Sequence, residues 1–153
     1  MAPGFRSGAY PRGRNKFGAK RARDINNRQY DSTAERDRAA DLTLLERAGE
    51  IAQLELQPVA TLTPDFHYRA DVSYLEKGRM VWEDVKGVET ERFKVVTQAW
   101  RALGPGLLRI TKRSTRRHEK RGFVVTREIM PSIEQARAVI AMLVERWGKD
   151  VLP

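Results

Sequence analysis

Residues Tyr68 to Gly87 read YRADVSYLEKGRMVWEDVKG, two runs rich in Val, Tyr, Trp and Met on either side of Glu76-Lys77-Gly78-Arg79. Gly78 can take the positive φ that a tight hairpin turn requires, and β-branched and aromatic residues suit the pleated flanks. With Lys77 and Gly78 as the loop, Glu76 faces Arg79, Tyr74 faces Val81 and Asp71 faces Asp84. Directly opposed strand residues hold their Cβ atoms about 4.5–5.5 Å apart. Period-two alternation places Trp82, Asp84 and Lys86 on one face and Val81, Glu83 and Val85 on the other. A three-residue loop or a bulge would shift every pair by one, and a bulge before Asp84 would turn Glu83 inward as an alternative ligand.

Facing carboxylates repel unless something cationic sits between them. A hard divalent ion fits that need: Mg²⁺ prefers oxygen ligands and commonly binds through one or two carboxylates, waters and a substrate phosphate, and Mn²⁺ can stand in for it. Such an ion polarises a phosphodiester and acidifies a bound water, and Lys86 is placed to orient that water or to neutralise developing charge. The other reading of the same residues is a pair of solvated strand carboxylates neutralised by Arg69 and Lys86, since Asp-x-Lys alone is a short pattern.

Upstream, Asp31-Ser32-Thr33-Ala34-Glu35 opens a helical stretch that runs through RDRAADLTLLERAGEI. Ser32 followed by Glu35 is a capping box, and Gly49 is a stop signal. Leu42, Leu45, Ala48 and Ile51 form the apolar stripe, and Glu35, two turns before Leu42, shares its side. Glu35 is thus open to two roles, capping the helix or pointing at the sheet.

The ordered set of segments NKFGAKRAR, YDSTAE, LLERAGEIAQLELQP, YRADVSY and WEDVKG resembles the PD-(D/E)XK nuclease superfamily, and more closely small phage-encoded endonucleases described as Holliday-junction-resolvase-like. The likeness spans roughly residues 15 to 112 and lies in the order of the segments rather than in any one of them. It implies a mixed α/β, restriction-endonuclease-like α-β-β-β-α-β core with LELQPVATL (54–62) as its first strand, a mixed central sheet flanked by helices, and a C-terminal helix. It further implies Mg²⁺ or Mn²⁺ at Asp71 and Asp84, Lys86 as the catalytic lysine and Glu35 as the helix carboxylate of the metal site. Two positions depart from the pattern: Ala70 stands where a Pro precedes the first Asp, and Asp84 replaces the commoner Glu.

A chain of 153 residues with 41% hydrophobic content suits one core. The absence of Cys excludes disulfides and thiolate metal sites and suits a reducing cytoplasm, that of a bacterial host if the chain is phage-encoded. No apolar run approaches a membrane span, and the start lacks the apolar segment of a secretory signal, so no membrane partner is expected.

The net charge is +9, and residues 1–28 carry eight basic residues against Asp24 alone, leaving +7 of it there. Composition therefore divides the chain into a basic, largely flexible arm, 1–28, and a single nuclease-like domain, 29–153. Arg14, Lys16, Lys20, Arg21 and Arg23 of the arm are candidate phosphate contacts. A second basic cluster, Lys112, Arg113, Arg116, Arg117, Lys120 and Arg121, separates the strand-like Leu107–Thr111 and Phe123–Ile129 and reads as a DNA-contacting loop, with His118 a minor phosphate contact. Phe93, Val96, Trp100 and Leu103 form a helical stripe ended by Gly104-Pro105, with Lys94 a further phosphate contact near the site. Ser132 with Gln135 caps a last helix that runs to Gly148.

These readings converge on a Mg²⁺-dependent endonuclease for branched DNA such as a four-way junction. Two symmetric incisions imply a homodimer. Three alternatives stand beside it: a restriction-like or nicking enzyme acting on ordinary duplex, a non-catalytic nucleic-acid-binding module of the same fold, and a structural component of a phage or host assembly whose basic arm grips a nucleic acid or acidic partner.

Overall fold

Lys77 and Gly78 both adopt left-handed backbone (φ 48° and 70°), the pair of conformations that matches the twist of a two-residue hairpin. Around this turn β6 (Val72–Glu76) and β7 (Arg79–Val85) pair antiparallel in the expected register, Glu76 opposite Arg79 through Val72 opposite Glu83. The hairpin is the middle of a five-stranded sheet. The structure, a computed structural model, describes residues 20–115 and 122–149. Its elements before the hairpin are β1 (Ala22–Arg23), β2 (Gln29–Tyr30), α1 (Thr33–Arg47), β3 (Ala52–Leu56), β4 (Val59–Thr63) and β5 (Phe66–Arg69). After it come α2 (Glu91–Leu103), β8 (Leu107–Arg113), β9 (Phe123–Ile129) and α3 (Ile133–Trp147).

The sheet order is β3-β6-β7-β8-β9, antiparallel except for β7 and β8, which run parallel and are joined through α2. This is the mixed sheet flanked by helices that the sequence leads one to expect. The pleat sorts the two cores. Val72, Tyr74, Val81 and Leu107 pack with Ala39 and Leu42 of α1 on one face. Trp82, Leu108 and Ile110 pack with Phe93, Val96 and Trp100 of α2 on the other. On that second face Val139 and Leu143 of α3 close over Leu75. Burying either of these faces gains about 25 cal/mol per Å² of apolar surface, which is why β7 and β8 carry apolar residues on both sides.

Caps begin all three helices: the Ser32 and Ser132 hydroxyls accept from the N–H of Glu35 and Gln135 as read, and the Thr90 hydroxyl accepts likewise from Phe93 N–H. Two features differ from the sequence expectation. LELQPVATL is two strands in two different sheets, broken at Gln57 (φ 55°) and Pro58, because proline has no N–H to continue a ladder. β4 and β5 form a separate two-stranded ribbon inserted between β3 and β6, closed at its base by Gln57 N–H to Asp71 O (2.7 Å) and Ala70 N–H to Pro58 O (3.1 Å). The second difference lies in the stretch 1–28. There β1 pairs with β2 and both Ala22 and Tyr30 are buried, so regular structure starts before residue 29.

Candidate metal and nucleic-acid site

Beyond Val72 the β6 ladder ends, and Asp71 is the next position, facing Asp84. Its N–H donates to Glu83 O (3.1 Å), and its carboxylate Oδ2 accepts the Val85 N–H (2.7 Å), so Asp71 grips β7 on both sides of Asp84. Asp84 is 1% exposed and shares the face of Trp82. Lys86 Nζ lies 2.8 Å from Asp84 Oδ1 and 5.3 Å from the centre of the Phe93 ring. The contact is an ion pair without a well-directed hydrogen bond: Asp84 Oδ1 is buried with no hydrogen bond aimed at it. The second Asp71 oxygen likewise accepts no hydrogen bond from the described residues.

Glu35 serves both roles left open by the sequence. Its Oε2 accepts the Asp31 N–H (2.9 Å), one residue beyond the usual capping-box target, and its Oε1 accepts from Gln57 Nε2 (3.1 Å). It is buried, and its charge is felt at both Asp71 and Asp84. Burial pushes the Asp71 carboxyl up to about 7, with Glu35 adding to the rise and the Val85 N–H and Lys86 opposing it. Burial also raises Asp84, against the pull of Lys86. Among the described residues no three His, Cys, Asp or Glu side chains converge closely enough to hold a metal ion by themselves. The arrangement offers one carboxylate, Asp71, with an oxygen that accepts no hydrogen bond, a second, Asp84, paired to Lys86, and a third, Glu35, held by hydrogen bonds beside them.

Glu35, Asp71, Asp84 and Lys86 open on one cleft of about 1050 Å³, whose walls also carry Arg21, Arg69, Arg92, Lys112 and Arg113. Of the basic residues singled out from sequence, Arg21, Lys112 and Arg113 line this cleft. Arg113 is anchored there by Asp37 (2.5 Å). Lys20 and Arg23 are exposed, and Arg23 is hydrogen-bonded to Asn27 (2.6 Å). Lys94 points elsewhere: it pairs with Glu91 one turn earlier (2.6 Å) and is not part of the cleft wall, where Arg92 stands instead. Arg14, Lys16, Arg116, Arg117, His118, Lys120 and Arg121 lie outside the described residues.

Arg69 and Arg92 were missed as rim cations because neither belongs to a run of charge; the hairpin β4–β5 and the first turn of α2 bring them in. Arg69 does not neutralise Asp71, as the solvated-strand reading requires, but pairs with Asp31 (3.0 Å). His67 also lines the cleft, its Nδ1 3.0 Å from Thr61 Oγ1. Glu83 stays on the opposite face, fully buried, because β7 has no bulge at Asp84.

No helix among the described residues is long and apolar enough to cross a membrane. No curated protein and no solved structure matches the chain significantly. A family described as "Protein of unknown function (DUF1064)" does match, over residues 14–107, a span that contains Glu35, Asp71, Asp84 and Lys86. That span is more than half of the chain, and the protein belongs to the DUF1064 family.

Proposed function

We propose that the protein is a metal-dependent endodeoxyribonuclease with Asp71, Asp84 and Lys86 at its active centre and branched DNA as its substrate. One observation carries the proposal: a buried carboxylate, Asp84, and a half-buried one, Asp71, are set side by side at the end of a hairpin, with an ammonium 2.8 Å from Asp84, in a cleft rimmed by arginine and lysine. The donor set fits a hard divalent cation. Asp84 Oδ1 is a buried oxygen without a directed hydrogen bond, Asp71 keeps one oxygen free, and Mg²⁺ commonly takes one or two carboxylates with waters and phosphate making up the rest. Asp71 and Asp84 would hold it, with Glu35 adding negative charge from behind. When bound, such an ion supplies charge neutralisation at a phosphodiester and a water acidic enough to act near neutral pH.

The residues of the chain divide the remaining work. Lys86, held between Asp84 and the Phe93 ring, is positioned to orient the attacking water and to offset charge that builds on the phosphate. Arg21, Arg69, Arg92 and Lys112 on the walls can take flanking phosphates, which fixes the backbone in register without reading sequence. The two stretches of the sequence densest in Arg and Lys join the described structure at Lys20 and Thr115, next to or on the wall of this cleft. Backbone recognition without base reading is the mode suited to a substrate defined by shape, and paired cuts in a four-way junction call for two copies of the chain.

The test is incubation of the purified protein with labelled four-way junction, linear duplex, single strand and RNA, in Mg²⁺, Mn²⁺ or EDTA. Symmetric metal-dependent nicks in the junction are expected. Asp84→Ala and Lys86→Ala should each lower the cleavage rate by about 10²–10³-fold or more, on the order expected for loss of a key electrostatic group, while junction binding persists. Cutting confined to duplex would make it a nicking or restriction-like enzyme. No cleavage of any polynucleotide, or full cleavage by either variant, would overturn the proposal.

A further inference from the structure

Behind β7, on the face away from the cleft, a buried charge network has no part in the proposed chemistry. Glu83 is fully buried, and its carboxylate accepts from Arg38 Nε (2.5 Å) and Nη2 (3.1 Å), Tyr74 OH (2.6 Å) and Thr111 Oγ1 (2.9 Å). The Tyr74 oxygen in turn accepts from Arg109 Nη1 (3.0 Å), whose guanidinium is paired with Glu76. Stability alone is a weak reason for such a pair, since desolvation offsets most of the Coulomb gain and an apolar pair of similar volume would serve as well.

Its position in the chain supplies a better reason. Glu83 immediately precedes Asp84 on β7. Arg38 follows Glu35 by three residues on α1 and so shares its side of the helix. The two-pronged contact between guanidinium and carboxylate fixes both distance and angle. It therefore ties the helix that carries Glu35 to the strand that carries Asp84. Tyr74 brings in β6, three residues beyond Asp71, and Thr111 brings in β8, whose carbonyl at the same residue accepts the Lys86 N–H (2.9 Å). Glu35 and Asp71 are thus each three positions from a residue bonded to Glu83, Lys86 is hydrogen-bonded to one, and Asp84 is the next residue after Glu83 itself.

We infer that Arg38 and Glu83 are positioning residues: their fork locks α1 to β7 so that Asp71 and Asp84 present a preformed site for a divalent cation beside Glu35. This rests on the metal-site reading above and deepens it. Groups that orient the residues around a metal, without touching it, typically change its affinity 10–100-fold when removed.

The experiment is Mn²⁺ titration by calorimetry, in the absence of DNA, on wild type, Arg38→Lys, the double variant Arg38→Met with Glu83→Gln, and Asp84→Ala as the zero. Gln keeps an acceptor for the Tyr74 and Thr111 hydroxyls while the charge pair is removed. The double variant should melt cooperatively and bind Mn²⁺ about 10–100-fold more weakly, with Arg38→Lys in between. A purely structural pair would lower the melting temperature and leave the Mn²⁺ affinity of the folded protein at the wild-type value; that result overturns the inference. If the double variant does not fold, Arg38→Lys decides by the same criterion. Wild type that binds no Mn²⁺ would overturn the metal-site reading itself and this inference with it.

Discussion

Replacing Asp71 by Asn should stabilise the metal-free protein at pH 8. The Asp71 carboxyl titrates at about 7 in the folded chain, against an ordinary value of 3.8, because burial and the Glu35 charge disfavour its ionised form. Between those two values the folded state keeps a proton that the unfolded state has released. Linkage then requires stability to fall as pH rises through the window. The loss is fully developed above pH 7 and absent below about 3.8. At about 1.4 kcal/mol per pH unit, a rise of roughly three units corresponds to on the order of 4 kcal/mol, an upper figure because solvent from the cleft can reach the group. Asp84 is shifted in the same direction and adds to the slope. Asp37 and Glu76, both held below their ordinary values, act only at lower pH and with the opposite sign. The two effects are therefore separable.

The assay is urea unfolding followed by circular dichroism at half-unit steps from pH 4.5 to 8.5, in EDTA. Wild type should lose about 1–3 kcal/mol between pH 5 and 8, the rest of the loss lying below pH 5. Asp71→Asn should lose less across that range, keeping only the part due to Asp84, and exceed wild type at pH 8, with a melting temperature higher by about 2–4 °C per kcal/mol. Adding Mn²⁺ at pH 8 should restore wild type and leave Asp71→Asn unchanged, since a ligand stabilises only the state that binds it. A wild-type profile that is flat or rising from pH 5 to 8 without metal would refute the electrostatic reasoning.

Three shorter predictions follow from other parts of the structure. Gly106→Ala should destabilise by about 3 kcal/mol or prevent folding, because the added Cβ would collide with the backbone carbonyl of Met80; a thermal melt reads this directly. Lys77→Asn should stabilise by about 0.5–1 kcal/mol, measured by urea unfolding, since Asn tolerates the left-handed backbone that Lys77 adopts in the hairpin turn. Arg92→Ala should leave the melting temperature within about 2 °C, weaken DNA binding, and reduce the dependence of log Kd on log salt by about one unit if the side chain neutralises one phosphate. An unchanged salt slope would remove Arg92 from the binding wall.

Much of the fold and the candidate site was legible because both follow from local rules. A two-residue turn at Lys77-Gly78 and a strict pleat are enough to oppose Asp71 and Asp84 and to send Lys86 to the same side. The capping hydroxyls at Ser32 and Ser132 mark the starts of the first and last helices within a residue. What escaped depends on partners distant in sequence. Nothing local says that Glu83 will meet Arg38, 45 positions earlier, although a Glu inside the otherwise apolar run of a strand flanked on both sides was a sign that something must neutralise it. The insertion of β4 and β5 was announced only by Pro58, which interrupts a stretch whose alternation otherwise reads as one strand. Lys94 was misassigned because helical spacing gives a face but not the rotation that decides whether Arg92 or Lys94 looks into the cleft.

The distribution of charge also weighs against a purely structural role for the acidic cluster. This chain has 29 Lys and Arg residues and could neutralise any carboxylate it buries. On the far face of β7 it does so, giving Glu83 a guanidinium, two hydroxyls and complete burial. On the cleft face Lys86 is paired with Asp84 and its charge also acts on Asp71, while Arg69 and Arg113 of the same cleft wall are paired instead with Asp31 and Asp37. Both solutions occur on adjacent residues of one strand, so the shortfall at Asp84 is not a general inability to supply cations. A buried acidic site left short of positive charge costs stability, and that cost is typical of sites kept ready for a ligand that brings the missing charge. A divalent cation bound with a phosphodiester is such a ligand, and the loss of metal-free stability between pH 5 and 8 is the measurable form of the same deficit.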